Sequence, residues 1–185
     1  MLYAKQFSEI SNILEQRADL RDYIINLIDQ QPIPGKVTEG NDRLLSFREI
    51  LKSLVKGQIS LVDACVRTEK DLPRELSIHA ANNKVFASGW AERLIRTQYS
   101  RFYNQAVMEI LLAAGQTKCF VPHSTDEDQS TNCSMLLAGR IHDLKTLYDR
   151  LIDTYANGNW SKDPKIPDHP HCTHVITPIE NQLAN

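Results

Sequence analysis

Cysteine and histidine residues are concentrated in the last third of the 185-residue chain. Only two precede Lys118, and the others follow it: Cys119, His123, Cys133, His142, His169, His171, Cys172 and His174. Thiolates and imidazoles are ligands that suit zinc, and a structural zinc site takes four of them in a tetrahedral shell. The sequence therefore indicates a metal site in this part of the chain.

The run H-P-H-C-T-H at positions 169–174 is the densest part of this region. Pro170 stiffens the turn, and a strand after it would present alternate residues, so His169, Cys172 and His174 can surround one ion. Cys133 would supply the fourth ligand from a separate segment. We predict a structural zinc ion held by Cys133, His169, Cys172 and His174, because the loops around them lack the apolar content to order themselves.

Neighbouring residues are given other roles or held in reserve. His171 is expected to point away, because consecutive ligands at 171 and 172 would strain a tetrahedral shell. Cys119 and His123 are reserve ligands. Two other interpretations remain open, since the spacing is irregular and contains no C-x-x-C. The residues are either surface histidines and buried free thiols, or Cys133 and Cys172 form a disulfide.

A catalytic interpretation depends on the acidic loop that follows His123. With Asp126, Glu127 and Asp128, this histidine would form a metal-dependent hydrolytic site, because such a metal needs carboxylates and a bound water. The chain has no Gly-rich phosphate loop, no H-E-x-x-H and no G-x-S-x-G. An acidic loop that is simply solvated explains the same residues.

The composition is that of an ordinary globular protein, with 42% hydrophobic and 24% charged residues. A formal net charge of -2 gives no electrostatic footprint for wrapping DNA. No window approaches the roughly 20 apolar residues of a membrane span, and the start lacks the pattern of a signal peptide. We therefore expect a cytosolic protein, in which cysteines are thiols or metal ligands more often than disulfides.

Periodicity and turn residues predict an α+β fold dominated by helices, with a small two-stranded element near the Cys/His cluster. Residues 1–57 are predicted to be an N-terminal helical extension and residues 58–180 the main domain. The longest apolar stripe predicts a central helix that organises the core around Phe102. The predicted helices cover about Phe7–Asp29, Ser46–Gly57, Ser60–Lys70, Val85–Ala114 and Ile141–Tyr155, and the strands Lys118–Val121 and His174–Ile179.

Three segments in order resemble the phage Mu F-like head-morphogenesis family, the minor head proteins of tailed phages. The first is GQISLVDACVRTEKDL, which resembles a short helix of the family. The second, AERLIRTQYSRFYNQAVMEILLAAG, is similar to its hallmark helix. The third is the pair TNCSMLLAGR and IPDHPHCTHVITPI, which resembles the family's C-x-x-C and its H-P-x-C-x-C ending. Matching positions in the second segment are Arg96, Thr97, Arg101, Asn104 and Gly115.

The chain departs from the family pattern at several positions. Gln98 stands where Glu is usual, and Ser130 stands where the first Cys of C-x-x-C would be. Gly139 lies one residue further from Cys133 than expected. His174 occupies the place of the last Cys, and an exchange of Cys for His keeps a zinc ligand but cannot keep a disulfide. The resemblance therefore favours metal over a disulfide.

The resemblance implies a non-enzymatic minor capsid or head-assembly protein in the virion or the host cytoplasm. Its expected partners are portal, capsid or scaffold proteins, and no specific nucleic acid or membrane. We also expect self-association, because the apolar face of the first helix is one that a small domain need not cover alone. The alternatives are a zinc-dependent hydrolase or nuclease, and a host-encoded zinc-containing binding module of prophage origin.

Overall fold

A helix of 24 residues, α5 (Trp90–Ala113), lies at the centre of the computed structural model, which describes residues 2–179. Phe102 in its middle is fully buried, as predicted. Gly89 precedes α5 and Gly115 follows it, both with positive φ, which a glycine adopts without steric cost. The fold is α+β and mainly helical, which confirms the predicted class. The other helices are α1 (Ile10–Gln16), α2 (Ala18–Gln30), α3 (Asn41–Val55), α4 (Leu61–Asp71), α6 (Asn132–Leu137) and α7 (Leu144–Tyr155).

The N-terminal helices belong to the same hydrophobic core as α5. The predicted single helix over Phe7–Asp29 is a short 3₁₀ turn followed by α1 and α2, which are separated at Arg17. Most of their apolar residues are buried, including Ile10, Leu20 and Ile24, whereas Tyr23 is exposed. An uncovered apolar face on this segment is thus no longer a reason to expect self-association.

The helices α3 and α4 pack against each other and against α5. The start of α4 was predicted correctly: Ser60 accepts a hydrogen bond from the backbone N–H of Asp63, and the Asp63 side chain accepts one from the N–H of Ser60. The predicted start of α3 at Ser46 was wrong, because the helix already begins at Asn41, after Gly40. Ser46 lies inside it.

The β structure is a three-stranded antiparallel sheet rather than a two-stranded element. It consists of β1 (Lys118–Val121), β2 (Arg140–Asp143) and β3 (Thr177–Pro178), in the order β2-β1-β3. The strand β2 occupies residues that were predicted to open α7. Asp143 ends β2 and also caps α7, because its carboxylate accepts hydrogen bonds from the N–H and hydroxyl of Thr146.

The segment between α7 and β3 contains no further helix or strand and carries the H-P-H-C-T-H run. Residues 172–176 of this segment are buried. Its backbone is tied to distant parts of the chain, since Thr173 accepts a hydrogen bond from the N–H of Phe7 and Ile176 donates one to the side chain of Asn104. Among residues 2–179, no helix has both the length and the apolar character that crossing a membrane would require.

Candidate metal centre

Two cysteines and one histidine form a buried group that could hold a metal ion. The donor atoms of Cys133, Cys172 and His174 all lie within 4.8 Å of one another. Each of the three residues is at most 3% exposed. The two cysteines are free thiols. The structure thus brings together three of the four predicted ligands.

The fourth predicted ligand, His169, contacts the group from one side. Its Nε2 lies 3.1 Å from the Sγ of Cys133. The Nδ1 of His174 lies 3.5 Å from the Sγ of Cys172. Ligands of a tetrahedral zinc ion lie about 3.3–3.8 Å apart, given bonds of about 2.3 Å to sulfur and 2.0–2.1 Å to nitrogen. Both distances are therefore close to those of a zinc shell, although His169 is outside the set whose atoms are all within 4.8 Å of one another.

Local structure explains how the donors meet. Cys133 lies in the first turn of α6, where Thr131 caps the helix by accepting from the N–H of Ser134. Cys172 follows a tight turn, because its N–H donates to the carbonyl of His169. His174, two residues later, faces the same buried region as Cys172. Two segments that are distant in sequence therefore present their ligands to one point.

A buried carboxylate holds the outer nitrogen of His174. The Nε2 of His174 lies 2.7 Å from an oxygen of Glu127, whose side chain is only 4% exposed. The other oxygen of Glu127 contacts the Nδ1 of His123 at 2.6 Å, and the N–H of Ser124 also donates to this carboxylate. Histidines that ligate a metal usually donate their other N–H to a carboxylate or carbonyl, which fixes the ring and raises its basicity. Glu127 provides this support for Nδ1 ligation by His174.

The two thiols of the group differ in acidity. Hydrogen bonds from Cys172, His169 and His174 lower the pKa of the Cys133 thiol well below its usual value, against the opposing effect of burial. The hydrogen bond to Cys133, together with burial, raises the pKa of Cys172. Cys133 is therefore the more acidic of the two thiols, and a metal ion that binds both residues would hold them as thiolates.

The same electrostatics act on the residues around the thiols. Burial lowers the pKa of His174, but hydrogen bonds to Cys133 and Glu127 outweigh it, so the pKa is raised. Burial would raise the pKa of Glu127, yet hydrogen bonds from His123, His174 and the backbone of Ser124 lower it. Glu127 is thus held as a carboxylate, the form that accepts hydrogen bonds from imidazole N–H groups.

His169 is less well prepared as a ligand than His174. Its Nδ1 accepts a hydrogen bond from the N–H of His171 at 3.2 Å, so the neutral ring carries its proton on Nε2 and donates to Cys133. Ligation through Nε2 needs the other tautomer, with the proton on Nδ1. Binding a metal at His169 would therefore break the contact with His171.

The remaining Cys and His residues lie outside the group. His171 is exposed, as predicted. The reserve ligand Cys119 is buried in β1 with its Sγ near the carbonyl of His142, and burial raises its pKa to about 12. His123, the other reserve, contacts Glu127 and packs on Gly139, where an added Cβ would lie 2.5 Å from Nε2 of the ring.

Glu127 is the residue whose role the sequence did not reveal. It stands between Asp126 and Asp128 in the acidic loop, and both neighbours are exposed. A run of three acidic residues looks uniformly solvated, because nothing in the sequence distinguishes the middle carboxylate. The only indication in the sequence was its position four residues after His123. The hydrolase interpretation took both residues as part of a catalytic metal site, whereas in the structure they contact each other.

Comparisons of the chain with protein-family models, with curated proteins and with solved structures gave no significant match.

Proposed function

We propose that this protein is a structural component of a tailed-phage head, of the minor head-protein type, in which one zinc ion fastens the C-terminal segments to the helical core. Cys133, His169, Cys172 and His174 are the proposed ligands. The observation that carries the proposal is the buried donor group backed by the carboxylate of Glu127. Four protein ligands close the shell of a structural zinc, whereas a catalytic zinc keeps one position for water.

The positions that resemble the head-morphogenesis family also have structural roles in this chain. Arg101 is fully buried and donates to the carbonyl of Pro32 and to the side chain of Gln98, the residue that replaces the usual Glu. Asn104 binds the backbone of Ile176, just beyond the H-P-H-C-T-H run. The second and third resembling segments thus contact each other directly, which supports reading them as one unit.

A hydrolytic role receives less support from the geometry. The carboxylate of Glu127 already accepts hydrogen bonds from two imidazoles and one backbone N–H. Asp128 is engaged with Ser130 in the loop itself. The carboxylate of Glu127 therefore orients His174 and is not free to hold a second ion or a water.

The metal part of the proposal is tested by elemental analysis of the purified protein. We expect about one zinc per chain, and its loss on replacement of Cys133 and Cys172 by Ser. Folded protein with no bound metal after incubation with zinc would refute this part.

The assembly part is tested in the phage or prophage that encodes the chain. Mass spectrometry should detect the protein in purified heads or head intermediates, and deletion of its gene should reduce the yield of DNA-filled heads. Bound portal, capsid or scaffold protein should be recovered from those intermediates. Normal infectious particles from the deletion strain, together with absence of the protein from all head intermediates, would refute the assignment.

A further inference from the structure

The outer face of the small sheet carries a row of three side chains. Phe120 in β1 lies directly opposite Ile141 in β2 and Thr177 in β3. Residues that are opposite each other in an antiparallel sheet project to the same face. Their neighbours Cys119 and Val121 point to the buried face. The solvent-facing side of an antiparallel sheet is usually polar, so the apolar side chains of Phe120 and Ile141 indicate a surface that binds another molecule.

The row forms the floor of a groove of about 810 Å³. The start of the chain, with Leu2 and Tyr3, lines it on one side, and Pro178 and Ile179 also line it. Leu2 and Ile141 are each more than half exposed. The volume falls within the range of about 300–1,000 Å³ that is typical of ligand sites. None of the proposed zinc ligands lines this groove, so it is a separate feature of the molecule.

The described lining of the groove is positively charged. Among the lining residues that the structure describes, Lys5 and Arg140 are charged and none carries a carboxylate. Within residues 2–179, neither of these two side chains takes part in an ion pair. A ligand that is apolar along its length and negative at its edges would match both properties of the groove.

The edge of the sheet favours a peptide as this ligand. The strand β2 is at the edge of the sheet. Its register with β1 continues to Leu144 and Thr117, which form a hydrogen-bonded pair because the N–H of Leu144 donates to the carbonyl of Thr117. Hydrogen-bonded and non-hydrogen-bonded pairs alternate along an antiparallel ladder, so Ile141 and Phe120, three pairs further on, form a non-hydrogen-bonded pair. The N–H and C=O of Ile141 therefore point away from β1. An extended peptide can pair with these groups, which is the mode of β-strand addition.

We propose that this groove docks an extended apolar segment of a partner protein that carries acidic side chains at its flanks. The backbone of the segment pairs with Ile141 at the edge of β2, and its large apolar side chains on the outer face cover Ile141 and extend towards Phe120. Its carboxylates face Lys5 and Arg140. This docking does not depend on the metal centre or on the phage assignment.

Selection from a displayed library of short random peptides tests the proposal on the full chain. We expect enriched peptides with an apolar centre and flanking Asp or Glu. The double variant Lys5→Glu, Arg140→Glu should bind them at least about tenfold more weakly, which corresponds to about 1.4 kcal/mol, and should itself select peptides with Lys or Arg flanks. The matched control Arg67→Glu, Lys162→Glu reverses two exposed charges elsewhere and should leave binding unchanged.

A second pair of variants tests the apolar floor. Ile141→Ser should weaken binding of the selected peptides at least about tenfold, whereas Val66→Ser, at a similarly exposed position on α4, should not. Both side chains are exposed, so circular dichroism should show the same fold as the wild type.

Several outcomes would overturn the proposal. The first is that no peptide is enriched, and the second is that the enriched peptides bind Ile141→Ser as tightly as the wild type. The third is that no peptide binds while dodecanoate binds saturably, which would assign the groove to a small amphiphile. Concentration-dependent dimerisation that Ile141→Ser abolishes would assign the groove to a second copy of the chain.

Discussion

The side-chain oxygen of Asn104 accepts a hydrogen bond from the backbone N–H of Ile176 at 2.9 Å. Asn104 lies in the middle of α5 and its amide nitrogen donates to the carbonyl of Ser100, so both ends of the side chain are used. Ile176 follows the metal-binding run by two residues. One buried amide therefore connects the central helix to the segment that presents Cys172 and His174.

Replacement of Asn104 by Ala should destabilise the protein by about 1–3 kcal/mol, because it leaves the buried N–H of Ile176 without an acceptor. Chemical denaturation followed by circular dichroism measures the change. Asn159→Ala removes an amide from an exposed loop position and should change the free energy of unfolding by less than about 0.5 kcal/mol. Equal stability of the two variants would contradict the role assigned to Asn104.

Phe102 tests whether α5 organises the core. The residue is fully buried, and Phe102→Ala should lower the free energy of unfolding by about 3–5 kcal/mol because it leaves a cavity. Leu76→Ala is the control, since Leu76 is 78% exposed. Thermal and urea unfolding would reveal the difference, and a Phe102 variant that melts like the wild type would count against a single core built on α5.

The proposed ligands should not contribute equally to metal binding. His174→Ala should weaken zinc affinity more than His169→Ala, because Glu127 orients His174 while His169 must change tautomer to ligate. Competition with a coloured chelator gives both affinities. Cys65→Ser is the control for loss of a thiol, since Cys65 lies in α4 outside the donor group, and it should bind zinc like the wild type. If His169→Ala weakened zinc affinity more than His174→Ala, the carboxylate of Glu127 would not govern the site.

Glu127 offers a direct test of that carboxylate. Glu127→Gln removes the negative charge that faces His174 and should reduce zinc affinity about 10–100-fold, as is typical when such a partner is lost. Asp126→Asn neutralises the exposed neighbouring residue and should leave the affinity within about twofold of wild type, since an exposed charge contributes little. If both variants bind zinc equally well, the contact between Glu127 and His174 has no influence on the metal.

Chelation should also loosen a defined part of the chain. If zinc fastens the C-terminal segments, removal of the metal should speed hydrogen exchange in residues 127–133 and 169–176 more than in α5. Hydrogen-exchange mass spectrometry measures both regions in one experiment. Uniform protection with and without chelator would contradict a structural metal.

Local signals predicted the elements that depend on local interactions. The capping residues Ser60 and Asp63 are sufficient to start α4, and the apolar stripe of α5 is long enough to be read without its neighbours. Ser46 shows the opposite case, because the helix that was predicted to start there begins at Asn41 and Ser46 is an interior residue. The strand β2 was missed because four residues that alternate poorly acquire their conformation from pairing with β1.

The same distinction applies to the candidate site. Cys133, Cys172 and His174 were recognisable because their side-chain types are rare and are used for metals. Glu127 was not, because a carboxylate that faces an imidazole and one that faces water have the same letter in the sequence. Its role depends on a contact across 47 positions, which only the folded chain brings about.

The hydrogen bond from the N–H of Phe7 to the carbonyl of Thr173 has a consequence for synthesis on the ribosome. Translation proceeds at roughly 5–20 residues per second, so Phe7 waits on the order of 10–30 s before Thr173 has been made. Cys133 must wait for Cys172 and His174 in the same way. The newly made helices therefore remain without this backbone partner and without a complete ligand set until residues 172–174 have emerged from the ribosome.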